Sequence, residues 1–288
     1  MEHEAQFAAD AALVSRALLD TVPEDAGVVG EAMRYSLVNG GKRIRPVLTL
    51  AFCRLFGGTP EAALPLGLAL ELVHSYSLIH DDLPCMDDAN LRRGKPACHK
   101  KFGEATALLA GDALLTQSFL IISQAALPAE VRCKAAALLA QAAGAQGMIG
   151  GQMEDIALER RAATAEELRG MNLKKTGALL RAACLSGCYA AGADAGGCAA
   201  AEEFSQAIGL HFQIMDDILD VTGDGRRLGK PVGGDEAKGK STWVRALGLE
   251  GAKDCASDLV KRAKQALAAC GGAEYLLWLT EYLAARTS

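Results

Sequence analysis

Aromatic residues make up only 5% of the 288 positions, and runs of β-branched residues are scarce. Sheets draw on both classes, so the shortage argues against a β architecture. No uninterrupted apolar run approaches the roughly 20 residues of a bilayer span, and no membrane span is expected. There is no basic tract, and the formal net charge is −5, which excludes nucleic acid as the expected partner. A Gly-x-x-x-x-Gly-Lys-Ser/Thr loop is missing, as is Gly-x-Ser-x-Gly, so P-loop chemistry and the serine-hydrolase elbow drop out. The first 20 residues lack the basic start and apolar block of a secretory signal, and the cytoplasm is the expected location. The nine cysteines are odd in number and scattered, as buried reduced thiols are. Cys184 and Cys188 stand one helical turn apart, but no second pair accompanies them to make a zinc site.

What remains is rich in alanine and leucine. Half the residues are hydrophobic, enough to bury a large helical core. An all-α, single-domain chain over residues 1–288 is expected. Periodicity and breakers place helices at about 4–20, 30–38, 47–56, 61–82, 102–127 and 129–158. A capping-box pattern at Thr164-Ala165-Glu166-Glu167 starts another. Further helices fall at 178–191 and 200–220, with two or three more beyond Trp243. Residues 222–240 lose periodicity and are rich in glycine and lysine, as functional lids often are.

The densest chemistry lies between Glu71 and Pro96. Asp81, Asp82, Asp87 and Asp88 fall within eight residues, and like charges so close favour reprotonation unless a cation sits among them. An all-oxygen donor set suits a hard divalent ion, Mg²⁺ rather than Zn²⁺. Arg92 and Arg93 follow, and their planar forks match phosphate oxygens. The bland alternative is a solvated acidic turn. His74 shares a helix face with Asp81, about 10 Å away.

A second acidic cluster lies about 135 residues further on. Gln213, Asp216 and Asp220 follow i, i+3, i+7 spacing and form one polar stripe, with Asp217 beside it. Carboxylates on an otherwise apolar helix are costly if dry and unpaired, which strengthens the metal reading and suggests a bundle with facing acidic poles. A separate basic set, Lys42, Arg43 and Arg45, sits at a helix start, where backbone N–H groups favour anions. Two anion sites suggest two phosphorylated substrates held side by side.

These motifs, in this order, resemble those of the trans-isoprenyl diphosphate synthases, most closely the bacterial short-chain farnesyl type. The resemblance runs from Gly40-Gly41-Lys42-x-x-Arg45-Pro46 to Arg286. It includes Asp-Asp-x4-Asp at Asp81, Asp82 and Asp87, and Leu91-Arg92-Arg93-Gly94-Lys95-Pro96. Lys175-Thr176-Gly177, Phe212-Gln213 and Asp-Asp-x-x-Asp at Asp216, Asp217 and Asp220 complete it. It implies an isoprenoid-synthase-type helical bundle around a central cavity. It further implies a prenyltransferase that joins isopentenyl diphosphate to an allylic diphosphate with three Mg²⁺ ions. By the same resemblance Lys42, Arg45, His74 and Arg93 hold isopentenyl diphosphate, and Arg92, Lys175, Lys230 and Lys240 hold the allylic diphosphate. Asp81, Asp82, Asp87, Asp216, Asp217 and Asp220 hold magnesium, with Asp88 a ligand or an outer neighbour. Thr176, Gln213 and the backbone near Lys175 turn oxygens towards the developing carbocation. Tyr76 marks a floor of the chain pocket, beside Ser77, and its bulk implies a C15 product, with C20 the alternative.

Two departures stand out. Ala89-Asn90 replaces two further acids, and no proline follows Lys240. Among rivals, a class I terpene cyclase needs no second diphosphate site and usually carries an Asn/Ser/Glu motif in place of Asp216–Asp220. A non-catalytic synthase subunit should have lost acids that are present here. A head-to-head synthase would carry Asp-x3-Asp motifs. A homodimer is expected from the composition of the helix surfaces.

Overall fold

The computed structural model describes residues 1–159, 161–223 and 241–285. Lys230, Lys240, Arg286 and the glycine-rich stretch between Asp224 and Lys240 lie outside them. The described chain is helical apart from one short hairpin, as its composition demands. It divides into two compact units, residues 1–137 with 189–192, and residues 138–188 with 193–288.

In the first unit, α1 (Glu2–Asp20), α2 (Gly27–Val38), α3 (Ile44–Leu55) and α4 (Pro60–Asp81) come first. The two-residue strands β1 (Leu91–Arg92) and β2 (Lys95–Pro96) follow, then α5 (Cys98–Phe102) and α6 (Glu104–Gln124). Helix α4 is central and packs on α3 and α6. Thr59 caps it through the Ala62 N–H, and Pro60 occupies its first turn, where no N–H is needed. Leu66, Leu70, Leu72 and Val73 are essentially fully buried along it, worth roughly 1.5–3 kcal/mol each in apolar transfer. The helix expected at 102–127 is α6, which starts two residues later, and the short α5 ahead of it was not expected. Gly103 adopts φ +83°, a conformation that ends α5 and that β-carbon-bearing residues avoid.

The second unit begins within α7 (Ala129–Ala143) and continues with α8 (Met148–Leu158) and α9 (Ala165–Asn172). A π-helical turn (Leu173–Gly177) leads into α10 (Ala178–Ala191), whose last three residues belong to the first unit. Then come α11 (Ala195–Thr222), α12 (Trp243–Leu267) and α13 (Glu274–Ala284). The expected helix over 129–158 is interrupted because residues 144–147 leave helical geometry at Gly147, whose β-carbon, if present, would lie 2.2 Å from the Ala142 carbonyl. The capping box forms as expected, with Thr164 and Glu167 reciprocally bonded. Helix α11 starts five residues before the expected position because Asp194 accepts from the Gly197 N–H at 2.8 Å. It packs along α12, which bends at Gly248 (φ +73°).

Two helices bear on the expectation of no membrane span. By length and composition, α4 and α6 are apolar enough to cross a membrane. Counting only uninterrupted apolar runs hides this, because single polar residues punctuate both helices. The apolar window of α4 is 67% buried within the fold, as a core helix is, and that of α6 only 33%.

Candidate active site

In the first unit the acidic motif is shaped by the end of α4. Asp81 is its last residue and Asp82 its C-cap. The chain then folds back: the Asp87 N–H donates to the Asp81 carbonyl at 2.9 Å and the Ala89 N–H to the Asp82 carbonyl at 3.2 Å. This return brings Asp87 beside Asp81. Asp88, at φ +45°, turns the chain out of the motif. Strands β1 and β2 pair antiparallel through Arg93 and Gly94, at φ +52° and +77°. Positive φ at both central residues makes the tight turn that suits hairpin twist. Two-residue strands have no readable period, so the hairpin escaped the sequence reading; the Arg93-Gly94 pair was its only local sign.

Arg92 lies against Asp82, with its Nε 3.1 Å from both carboxylate oxygens and its Nη2 also bonded there. Asp82 is buried. Burial works against the Arg92 charge, but the hydrogen bonds and charge of Asp82, with Asp81 and Asp87, outweigh it and raise its pKa. Asp82 and Arg92, read from sequence as ligands of different groups, thus also hold each other.

Arg93 Nη1 donates to the Gly40 carbonyl. Gly40 and Gly41 sit at φ +81° and +121°, and a β-carbon on Gly41 would come 2.7 Å from the Arg93 guanidinium. The glycine pair therefore serves a close approach as well as a turn. Arg45 is half-buried, and its pKa is lowered by burial, with Glu71 opposing and Arg93 adding to the effect. Its Nε is buried with no hydrogen-bond partner among the described residues. His74 is held well below its ordinary pKa, first by burial and then by Arg45, Arg93, Arg43 and Arg92. It is therefore neutral at neutral pH and has an N–H to donate. Glu71, His74, Asp82, Arg92 and Arg93 line one small cavity. Three of the four residues that the resemblance groups for one anion, Arg45, His74 and Arg93, are electrostatic neighbours. Lys42 is exposed on the same loop. Arg43, the third member of the basic cluster, is turned inward.

Tyr76 is 5% exposed, and burial, aided by Asp81, pushes its pKa up to about 12. Its ring meets His80 edge-on at 5.6 Å. His80 Nε2 lies 3.0 Å from the Leu108 carbonyl, and only glycine at position 111 leaves it room. Ser77 donates to the His74 carbonyl at 2.9 Å.

In the second unit, Lys175 and Thr176 lie on the π-helical turn, a device common at functional sites. Lys175 Nζ is 2.5 Å from Asp155 Oδ2, and Lys174 pairs with Glu154. Gly151 of α8 lies directly under this turn; a β-carbon there would be 2.2 Å from the Lys175 backbone nitrogen. Gly209 of α11 approaches Gly177 in the same way, at 3.2 Å. Gln213, Asp216 and Asp217 are half-buried and Asp220 is buried. Asp217 Oδ2 accepts from the Trp243 N–H at 2.7 Å, which ties the motif to the start of α12.

Among the described residues, no three His, Cys, Asp or Glu side chains close around one point. Magnesium commonly takes one or two carboxylates and fills its remaining positions with water and substrate phosphate oxygens. The aspartates supply the hard oxygen donors this requires. All nine cysteines are free, and burial pushes the Cys184 thiol well up, away from the thiolate a metal would need.

Comparison with known proteins decides the family. The polyprenyl synthetase model matches residues 27–271. The chain belongs to the polyprenyl synthetase family. It is 45% identical over 260 residues to the farnesyl diphosphate synthase of Bacillus subtilis, covering 89% of this chain and 88% of that one. It is 43% identical over 266 residues to a chloroplastic geranylgeranyl pyrophosphate synthase of Arabidopsis thaliana, covering 90% and 74%. Among solved structures, an FPP/GFPP synthase from Zymomonas mobilis superposes with a TM-score of 0.89 at 37% identity, over 99% of each chain. The all-α expectation and the family resemblance both hold.

Proposed function

We propose that this polyprenyl synthetase condenses isopentenyl diphosphate with dimethylallyl and geranyl diphosphates, making (2E,6E)-farnesyl diphosphate and releasing diphosphate. The observation that carries the reading is on and beside α4. A neutral histidine among arginines, suited to one diphosphate, lies about two turns from a folded-back carboxylate motif suited to a metal.

Asp81, Asp82, Asp87 and Asp88, with Asp216, Asp217 and Asp220, would hold Mg²⁺, three ions in the full complex. When bound, magnesium supplies the positive charge that a departing diphosphate needs. Arg92 and Lys175 bind the allylic diphosphate, and Lys230 and Lys240 are assigned the same role. As its C–O bond breaks, the Thr176 hydroxyl and the Gln213 side-chain oxygen stabilise the allylic cation. Lys42, Arg45, His74 and Arg93 hold isopentenyl diphosphate, with His74 donating its N–H to a phosphate oxygen. The isopentenyl double bond attacks the cation, a C–C bond forms, and a proton leaves to the departed diphosphate.

The deciding experiment incubates the chain with Mg²⁺, isopentenyl diphosphate and each of the C5, C10 and C15 allylic diphosphates. A C15 product from the first two is expected, and no turnover with any would sink the reading. Geranylgeranyl diphosphate synthesis is the second reading, favoured by the 43% identity to the plant enzyme, and turnover of the C15 allylic substrate would support it. Tyr76 is assigned as a floor of the chain pocket. Tyr76→Ala should shift the main product from C15 to C20 in product chromatography, and an unchanged C15 product would remove Tyr76 from that role.

A second copy of the chain is the proposed partner. Helix α6 exposes Leu108, Leu109 and Leu120 at 45, 54 and 44%, large apolar side chains of the kind that oligomers cover. Light scattering should give about twice the chain mass, and a monomer mass would refute the dimer.

A further inference from the structure

Arg43 and Glu71 form a buried pair that the proposed chemistry leaves unused. Their side chains are 5 and 3% exposed, and Arg43 Nη1 lies 2.8 Å from Glu71 Oε1. The rest of the guanidinium is also engaged internally: Nη2 donates to the Leu37 carbonyl at 2.5 Å and Nε to Ser15 Oγ at 3.3 Å. Arg43 is therefore not a spare phosphate ligand. It stands at φ +53° as the N-cap of α3, between Lys42 and Arg45. A non-glycine residue holds that left-handed conformation only when its surroundings over-determine it, and three hydrogen bonds from one side chain do so.

Glu71 precedes His74 by three residues on α4, so the two share a face. Its carboxylate also acts on Arg45 and Arg93, opposing the effects of burial and of neighbouring guanidinium groups on both. One buried carboxylate thus serves three arginines, and without it they would repel one another around a neutral histidine.

We propose that the Arg43–Glu71 pair positions the isopentenyl diphosphate cations. Arg43 locks the α2–α3 loop that carries Lys42 and leads into Arg45, and Glu71 is the counter-charge that lets Arg45 and Arg93 stand together beside His74. The inference rests on the prenyl-transfer reading. It makes Arg43 and Glu71 positioning residues that touch neither substrate.

The test is steady-state kinetics on the full chain, varying each substrate at saturation of the other. Glu71→Gln should raise the KM for isopentenyl diphosphate on the order of tenfold, through loss of a charge-assisted contact, with the geranyl diphosphate KM nearly unchanged. Arg43→Lys, which keeps the charge but not the fork, should move the same constant in the same direction. Equal rises in both KM values, or no rise in either, would overturn the proposal. An apolar double variant, Arg43→Met with Glu71→Leu, covers the case where single variants fold poorly, because a buried pair can be exchanged for packed hydrophobes without loss of stability. With folding intact, it should still show the selective rise; wild-type KM values for it would overturn the positioning role. Failure of the underlying reading has a different signature, since wild type itself would then make no product.

Discussion

Asparagine in place of Asp81 or Asp216 is expected to lower turnover on the order of 10³-fold, the scale seen when a preorganised transition-state charge contact is removed. The chain should stay folded. Asp81 ends α4 and is half-buried, and Asp216 is half-buried on α11, so exchanging a carboxylate for an amide of equal size should shift Tm by no more than a few degrees. Asp82 behaves differently. It is 2% exposed and carries the hydrogen bonds of Arg92, so Asp82→Asn should lower both activity and Tm, because it weakens the partner of a part-buried guanidinium. The measurement is product formation at saturating Mg²⁺ alongside a thermal melt. Full activity in Asp81→Asn or Asp216→Asn would remove that aspartate from the metal set.

Gly151→Ala should have the second-largest effect, with a sign opposite to helix propensity. Alanine inside a helix ordinarily gains about 1 kcal/mol over glycine. Here its β-carbon would stand 2.2 Å from the Lys175 nitrogen and 2.6 Å from the Lys175 Cα. Both are backbone atoms, so the clash cannot be relieved by a rotamer change; α8 and the π-helical turn must move apart. Overpacking of this kind costs about 1–3 kcal/mol, or roughly 2–10 °C in Tm for a chain of this size. The same shift displaces Lys175 and Thr176, and misplacement by about 1 Å can lower turnover on the order of 10²-fold. A melt and a rate on one preparation decide it. Unchanged values would mean that the turn is not packed against Gly151 as described.

The helices were legible because their signals are local. Thr164 and Glu167 read as a capping box from four residues, and the two aspartate motifs read as candidate metal sites from charge density, donor type and spacing. Two of the misplaced boundaries share a cause. Gly103 and Gly147 each tolerate helix or end it, and only the neighbouring backbone decides which. The hairpin around Arg93-Gly94 and the π-helical turn at Lys175 left almost no trace, since one is too short for a period and the other depends on glycines from α8 and α11.

The sequence by itself determined the all-α class, the family and the residue types that can bind metal and diphosphate, because these follow from composition and from motifs only a few residues long. Tertiary structure alone decided how the charges are shared out. It turned Arg43 inward onto Glu71 and gave Arg92 to Asp82. It brought Arg93 onto the Gly40 carbonyl and kept His74 neutral among the arginines. These assignments depend on distances between residues 10 to 53 positions apart and on the burial that makes an unpaired charge costly, and neither quantity is written in any local stretch of chain.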